Sequence, residues 1–322
     1  MTINQIITER KYQKWPSFDL VYEWEDVLVE ELNIPLYFKQ KYSTNRFIKR
    51  IPFIKLLLAP KQNSFIFEMC PMTKYHIWNK SNIIPYIIDF YLRSETLKYF
   101  YREYEKNPIV FISSKEVFLF LQQHQCPLKI VHLPLSISDK YKITRNTIFH
   151  KEYDLVMAGR QNPVLEKYAF KYADTHKDFK FVYRKQDGNK FLYYTSDKEC
   201  LGDINTRDGY IQLMKKSKCG LYSTPGIDGG EQRTNGFNQV TPRFLELIAC
   251  GCHVIARYAE NADTEFYQLK DFSPSINSYE AFEKQMDLLR EKPINIEKYV
   301  DYLSQHYTSE RVKLLKQFVE KI

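Results

Sequence analysis

Thr241-Pro-Arg-Phe-Leu-Glu-Leu-Ile-Ala-Cys-Gly-Cys-His-Val-Ile-Ala256 is the most informative run in the chain. Threonine followed by proline opens helices: the hydroxyl can cap, and proline's missing N–H costs nothing in a first turn. A helix over Pro242–Cys250 with Thr241 as its N-cap is therefore expected. Leu245, Ile248 and Ala249 give it an apolar or small face, Gly251 ends it in a left-handed cap, and His253–Arg257 follows as a buried strand. Arg243 and Glu246 stand three residues apart and so share a side of the helix. The first free N–H groups and the planar fork of Arg243 suit phosphate oxygens. An acceptor-only carboxylate one turn further on suits two ribose hydroxyls and would repel phosphate. Together they describe a nucleoside diphosphate.

The rest of the second half has a regular rhythm. Tyr153–Ala158 reads as a strand, Pro163–Ala173 as a helix, Phe179–Arg184 as a strand, Arg207–Lys216 as a helix and Cys219–Ser223 as a strand, the order of βα units on a parallel sheet. The first half has the same grammar in Phe18–Glu23, Ser64–Glu68, Ile84–Asp89, Ile109–Ser113 and Ile130–Leu133, all expected as strands. Single cores stop growing near ~250–300 residues, so 322 residues favour two. The expected fold is α/β, with two Rossmann-like doubly wound lobes facing each other across a cleft. The polar segment Ser136–Lys151 marks the junction, which gives lobes over 1–145 and 146–300 and a terminal helical segment, 301–322, packed across them. Helices are expected over Ile296–Gln305 and over Ser309–Ile322, the latter with Ser309 as N-cap.

Composition narrows the function. Apolar residues make up 44% and charged residues 27%, ordinary for a folded globular protein. No apolar run reaches the ~18–20 residues of a spanning helix, and no apolar segment with a small-residue cleavage site follows the N-terminus, so a cytoplasmic protein is expected. The six cysteines lack zinc spacing and are expected as reduced thiols; no metal site is expected. A net charge of +8 permits polyanionic partners, but no nucleic-acid motif is present and the basic residues form no single arm, so nucleic acid is not expected as a partner.

The run from Thr241 resembles the donor-site helix of GT-B glycosyltransferases, in the lineage with a Glu-x7-Glu motif and specifically its T-P-R-x-x-E variant. Met157-Ala-Gly-Arg160 is similar to the family's V-G-R turn, and Val110–Ser114 with His132-Leu-Pro resembles its "strand, Ser, helix, I-P" passage. The resemblance implies a GT-B fold and transfer of a sugar from a nucleoside-diphosphate sugar, as in capsule or lipopolysaccharide synthesis. It implies a hexosyltransferase-like, metal-independent activity with no cofactor. It places the donor on Gly159, Arg160, Arg184, Gly226, Thr241, Arg243 and Glu246, with Glu246 on the ribose and the arginines on phosphate. Asn238 stands eight residues before Glu246, where the family has its first, sugar-contacting glutamate; Asp228 and Glu231 on a Gly-rich loop are the acids nearest to that role. Lys167 or Arg184 would stand in for the lysine that follows the V-G-R turn in the family.

The acceptor, a glycan or lipid-linked hydroxyl compound, is expected on the N-terminal lobe. A base there would emerge from a strand's carboxyl end: Glu68 and Asp89 are placed for it, with His76 next along the loop. Residues 38–61 interleave Lys39, Lys41, Arg46, Lys49, Arg50 and Lys55 with apolar residues, and so form a basic amphipathic element able to lie on an anionic membrane or to pack on its own lobe. The alternatives are a non-catalytic sugar-nucleotide-binding protein of the same fold, which Asn238 favours, and a metal-dependent GT-A enzyme, for which no D-x-D triplet is present.

Overall fold

The computed structural model describes residues 1–38, 60–188, 190–229 and 234–322. It divides into two compact units, one of Met1–Asp139, Arg233–Phe237 and Tyr307–Ile322, the other of Lys140–Gln232 and Asn238–His306. The basic element at 39–59 and the loop acid Glu231 lie outside the described residues.

Unit 1 runs β1 (Gln5–Thr8), α1 (Asp19–Leu32), β2 (Leu36–Phe38), β3 (Ser64–Glu68), β4 (Ile83–Ile87), α2 (Leu97–Tyr104), β5 (Val110–Ile112), α3 (Lys115–Gln123) and β6 (Ile130–His132). Its six described strands pair in parallel in the order β2-β1-β3-β4-β5-β6. β1, β3, β4 and β5 are buried at every residue, as strands in the middle of a parallel sheet must be, and this is why β3 and β4 read as apolar runs. Gln5 can be buried in β1 because its amide donates to Ser64 Oγ at 2.9 Å.

Phe18–Glu23, expected as a strand, begins α1 instead. A six-residue window shows an apparent alternation, but the longer run buries Val21, Trp24, Val27 and Leu28, the spacing of a helix face. The first strand is β1, upstream. The terminal helix Thr308–Val319 buries Val312, Leu315 and Val319 in the core of unit 1 beside Ile3, Val21 and Trp24. Ser309 is not its N-cap; Tyr307 is, without a side-chain bond. Ser309 is the second residue of the helix, where its N–H and hydroxyl both donate to the Asp139 carboxylate at 2.9 and 2.6 Å. The capping charge thus arrives from a distant part of the chain.

Unit 2 runs β7 (Tyr153–Val156), α4 (Pro163–Thr175), β8 (Phe181–Asp187), β9 (Lys190–Thr195), β10 (Cys200–Asp203), α5 (Arg207–Lys215), β11 (Ser217–Ser223), α6 (Arg243–Ala249), β12 (His253–Arg257), α7 (Tyr279–Glu291) and α8 (Ile296–Ser304), with two shorter helices between β12 and α7. The strand order is β10-β9-β8-β7-β11-β12, parallel except for the antiparallel β8-β9-β10 meander. Leu155, Leu165, Tyr172, Phe181, Leu221 and Ile255 build its core with Phe282 and Met286 of α7.

Gly251 closes α6 as expected, at φ 66°. Its N–H donates to Ile248 and that of Cys252 to Leu247, both at 2.9 Å, the paired bonds of a Schellman motif. A Cβ there would lie 2.3 Å from the Phe149 ring, so glycine serves both the conformation and the packing.

Candidate functional site

In unit 2 the chain leaves β7 through α4 to β8 on one side and later reaches β11 on the other. Ligands of open α/β sheets bind beyond the carboxyl ends of the strands at such a reversal. The segments that emerge there are Met157–Arg160 after β7 and Thr224–Gly226 after β11.

Gly159 adopts φ 70°, and its N–H donates to the Tyr193 hydroxyl at 3.0 Å. The Arg243 guanidinium packs directly on it. Nη1 of Arg243 donates to the Arg160 carbonyl at 2.6 Å and Nε to the Tyr210 hydroxyl at 3.2 Å. Burial pushes the Tyr210 phenol up to about 12, with Arg243 pulling the other way, so it stays a neutral partner at physiological pH. Arg184 reaches the same place from β8, its guanidinium 4.4 Å over the Phe191 ring. Burial draws Arg184 below the ordinary arginine value; the Tyr193 and Tyr210 phenols favour its charge, while Arg243 and Arg160 oppose it. The charge of Arg184 is therefore opposed by Arg243 and Arg160 near the end of β7. An anion placed among them relieves that repulsion.

Glu246 is buried at 4% exposure, with Oε1 2.7 Å from Nη1 of Arg207. Arg207 opens α5 behind the N-cap Thr206, whose hydroxyl accepts from Gly209 N–H. The carboxylate is therefore held in one orientation by a neighbouring helix.

Thr241 precedes the helix instead of capping it. α6 starts at Arg243 with Pro242 as N-cap and no side-chain bond, because Pro242 is itself helical in backbone angle. Thr241 donates its N–H to the Tyr222 hydroxyl, and its carbonyl accepts from Phe244 N–H at 3.2 Å. The helix has seven residues and part of its amide end is already used, so arginine side chains supply most of the positive charge.

Asn238 Oδ1 accepts from the Thr224 hydroxyl at 3.0 Å, and its carbonyl accepts from Asn261 Nδ2. Gly226 lies in the turn after Thr224. Asp228 is tied by both oxygens to Arg257, at 2.6 and 2.8 Å, and accepts from Asn162 Nδ2, which spends it on holding the loop to β12. Lys167 stands exposed on α4. Arg207, Tyr193 and Tyr210 are members of this constellation that the sequence did not single out.

In unit 1, Glu68 closes β3 and is buried. Its Oε1 meets His76 Nε2 at 2.7 Å, and Oε2 accepts from the Tyr104 hydroxyl. Nδ1 of His76 faces the Glu103 carbonyl at 2.7 Å, so both ring nitrogens are donors in the charged form. Burial opposes that charge, but Glu68 and Glu103 together outweigh it and hold His76 above its ordinary value. Asp89, two residues beyond β4, donates its N–H to the Met69 carbonyl at 2.9 Å.

No protein-family model and no curated protein sequence matches the chain. Solved structures do. A sucrose-phosphate synthase from Thermosynechococcus elongatus is similar over 100% of both chains, with TM-score 0.58 and 8% identity. A UDP-GlcNAc 2-epimerase from Methanocaldococcus jannaschii is similar over 100% of both chains, with TM-score 0.51 and 11% identity. The fold is therefore of the GT-B glycosyltransferase type, two Rossmann-like α/β lobes.

Proposed function

We propose that the chain is a glycosyltransferase that moves a sugar from a nucleoside-diphosphate sugar to an acceptor hydroxyl, with the donor's diphosphate among Arg160, Arg184 and Arg243. The observation that carries this reading is the Arg243 guanidinium packed on Gly159 and bonded to the Arg160 carbonyl at the reversal of a doubly wound sheet, with Arg184 near enough to feel its charge. Such a site is matched to an anion of more than one charge. Glu246, fixed by Arg207, is the acceptor for the ribose hydroxyls.

In transfer, negative charge grows on the leaving diphosphate as the bond to the anomeric carbon breaks. Fixed guanidinium groups stabilise that charge without reorganising, the role a metal ion plays in other transferases. Glu68 and His76 are bonded to each other and to Tyr104 and Glu103, which makes them a rigid support at the end of β3. A surface glycan or its lipid-linked precursor as acceptor rests on the family resemblance.

A second reading, sugar-nucleotide binding without turnover, is favoured by Asn238 in the place of a glutamate and by the engagement of Asp228 with Arg257. One experiment separates them. The chain is incubated with a panel of sugar nucleotides and free nucleoside diphosphate is measured. Release above the buffer control supports a transferase, and tight binding with no release supports the second reading. Absence of any binding overturns both.

A further inference from the structure

Unit 1 has a reversal of its own. β1 lies between β2 and β3, so the chain goes to one side and returns on the other. The segments leaving the carboxyl ends of β1 and β3 diverge there, which is where an open parallel sheet leaves a crevice. A cavity of about 190 Å³ occupies that place, between Glu9, which follows β1, and Glu68, which ends β3. Phe18, Ile66, Met69, Met72, Tyr75 and Trp78 form its apolar wall.

Tyr75 has φ 59°, a left-handed conformation rare for so large a side chain, and remains 42% exposed. The next residue explains what holds it. His76 is fixed by Glu103 Oε2 at its backbone N–H, by the Glu103 carbonyl at Nδ1 and by Glu68 at Nε2, each at 2.7 Å. An anchored, buried histidine thus imposes the turn that keeps an aromatic ring at the cavity. Strained backbone held in this way is concentrated at ligand sites.

The lining also restricts the guest. The ring nitrogens of His76 are turned toward Glu68 and Glu103, and the remaining wall is mostly hydrocarbon, thioether and aromatic ring, with Glu9, Glu68, Cys70, Tyr75 and Trp78 supplying its few polar atoms. A saccharide, with a hydroxyl on nearly every carbon, would lose more hydrogen bonds to water here than the few polar atoms of the lining replace. An apolar ring would not, and a single hydroxyl on it could meet the Glu9 or Glu68 carboxylate at the strand ends, since each oxygen can accept twice. A dry cavity of about 150 Å³ already accepts benzene, so this one accommodates a substituted aromatic ring.

We propose that this cavity binds a compact hydroxylated apolar ring, a guest of phenolic chemistry. Binding of the guest stands apart from the transferase reading; only a role for its hydroxyl as the acceptor rests on that reading.

The test uses the full chain without donor and the fluorescent phenol 4-methylumbelliferone as probe, followed by anisotropy. Saturable binding is expected, displaced by phenol and not by methyl glucoside. Tyr75→Gly, which keeps the backbone conformation and removes the ring, and Met72→Glu, at a half-buried wall position, each weaken it at least tenfold. No saturable binding, equal displacement by the glucoside, or unchanged affinity in both variants overturns the proposal. Nucleoside-diphosphate binding, read by thermal shift on the same samples, reports on unit 2 alone. Phenol binding without nucleotide binding would uphold the cavity's assignment and defeat the transferase reading.

Discussion

The Arg243 guanidinium occupies the space that a side chain on residue 159 would need: a Cβ added to Gly159 would come within 2.6 Å of Nη2. At φ 70° that position also disfavours any L side chain. Gly159→Ala should therefore displace Arg243 and strain the turn together. The expected result is a stability loss of about 1–2 kcal/mol and at least tenfold weaker nucleoside-diphosphate binding, measured by chemical denaturation and calorimetry. Wild-type affinity in a folded variant would show that Arg243 is not part of the anion site.

Glu246→Ala leaves the half-buried Arg207 guanidinium without its carboxylate, so some stability should be lost, less than the ~3–5 kcal/mol of a fully desolvated pair. If Glu246 also holds the ribose, the variant loses affinity for a nucleoside diphosphate but not for its 2′,3′-dideoxy analogue. Equal losses for both ligands would make the pair with Arg207 its whole purpose.

In the proposed site, arginine side chains would give the leaving diphosphate its counter-charge without a cation. Transfer should continue in EDTA at a rate within about twofold of the untreated enzyme, while Arg243→Ala lowers turnover at least tenfold, the scale of ~1.4 kcal/mol. Complete loss in EDTA with rescue by manganese would contradict this.

His76 holds its proton more tightly in the fold than in the unfolded chain, because Glu68 and Glu103 together outweigh the cost of burial. Its pairing therefore contributes in full below the ordinary imidazole value near ~6.5 and is lost as pH rises through the folded value. The Tm gap between wild type and His76→Gln should be widest at acidic pH and should narrow as pH is raised from about 6 to about 9. A gap that widens over that interval would mean that His76 is neutral in the fold.

The parts of this molecule legible in its sequence are those written in local runs. β3, β12, α4, α5 and the glycine stop of α6 follow from periodicity and capping chemistry within ten or so residues. α1 was hidden because its first five residues, with Phe18 before them, mimic a strand, and β1 because a four-residue strand containing Gln5 and Thr8 gives too little apolar signal. The β8-β9 hairpin had a signal, Asp187-Gly188 with Gly188 at φ 56°, that turn chemistry could have supplied. Arg243 and Glu246 were readable from their spacing on one helix. Arg207, Tyr193 and Tyr210 were not, since only the crossing of strands brings them beside α6.

The helix Thr308–Val319 belongs to the core that also contains Ile3, Val21 and Trp24, with nearly three hundred residues of chain between. Residues 1–139 are therefore made before the helix that completes their core, and that core lacks its partner until residues 307–322 have been made. Unit 2 meets no such delay. During synthesis the order of maturation is the reverse of the order of translation, and a chaperone that shields apolar surface has its work on the first unit to emerge.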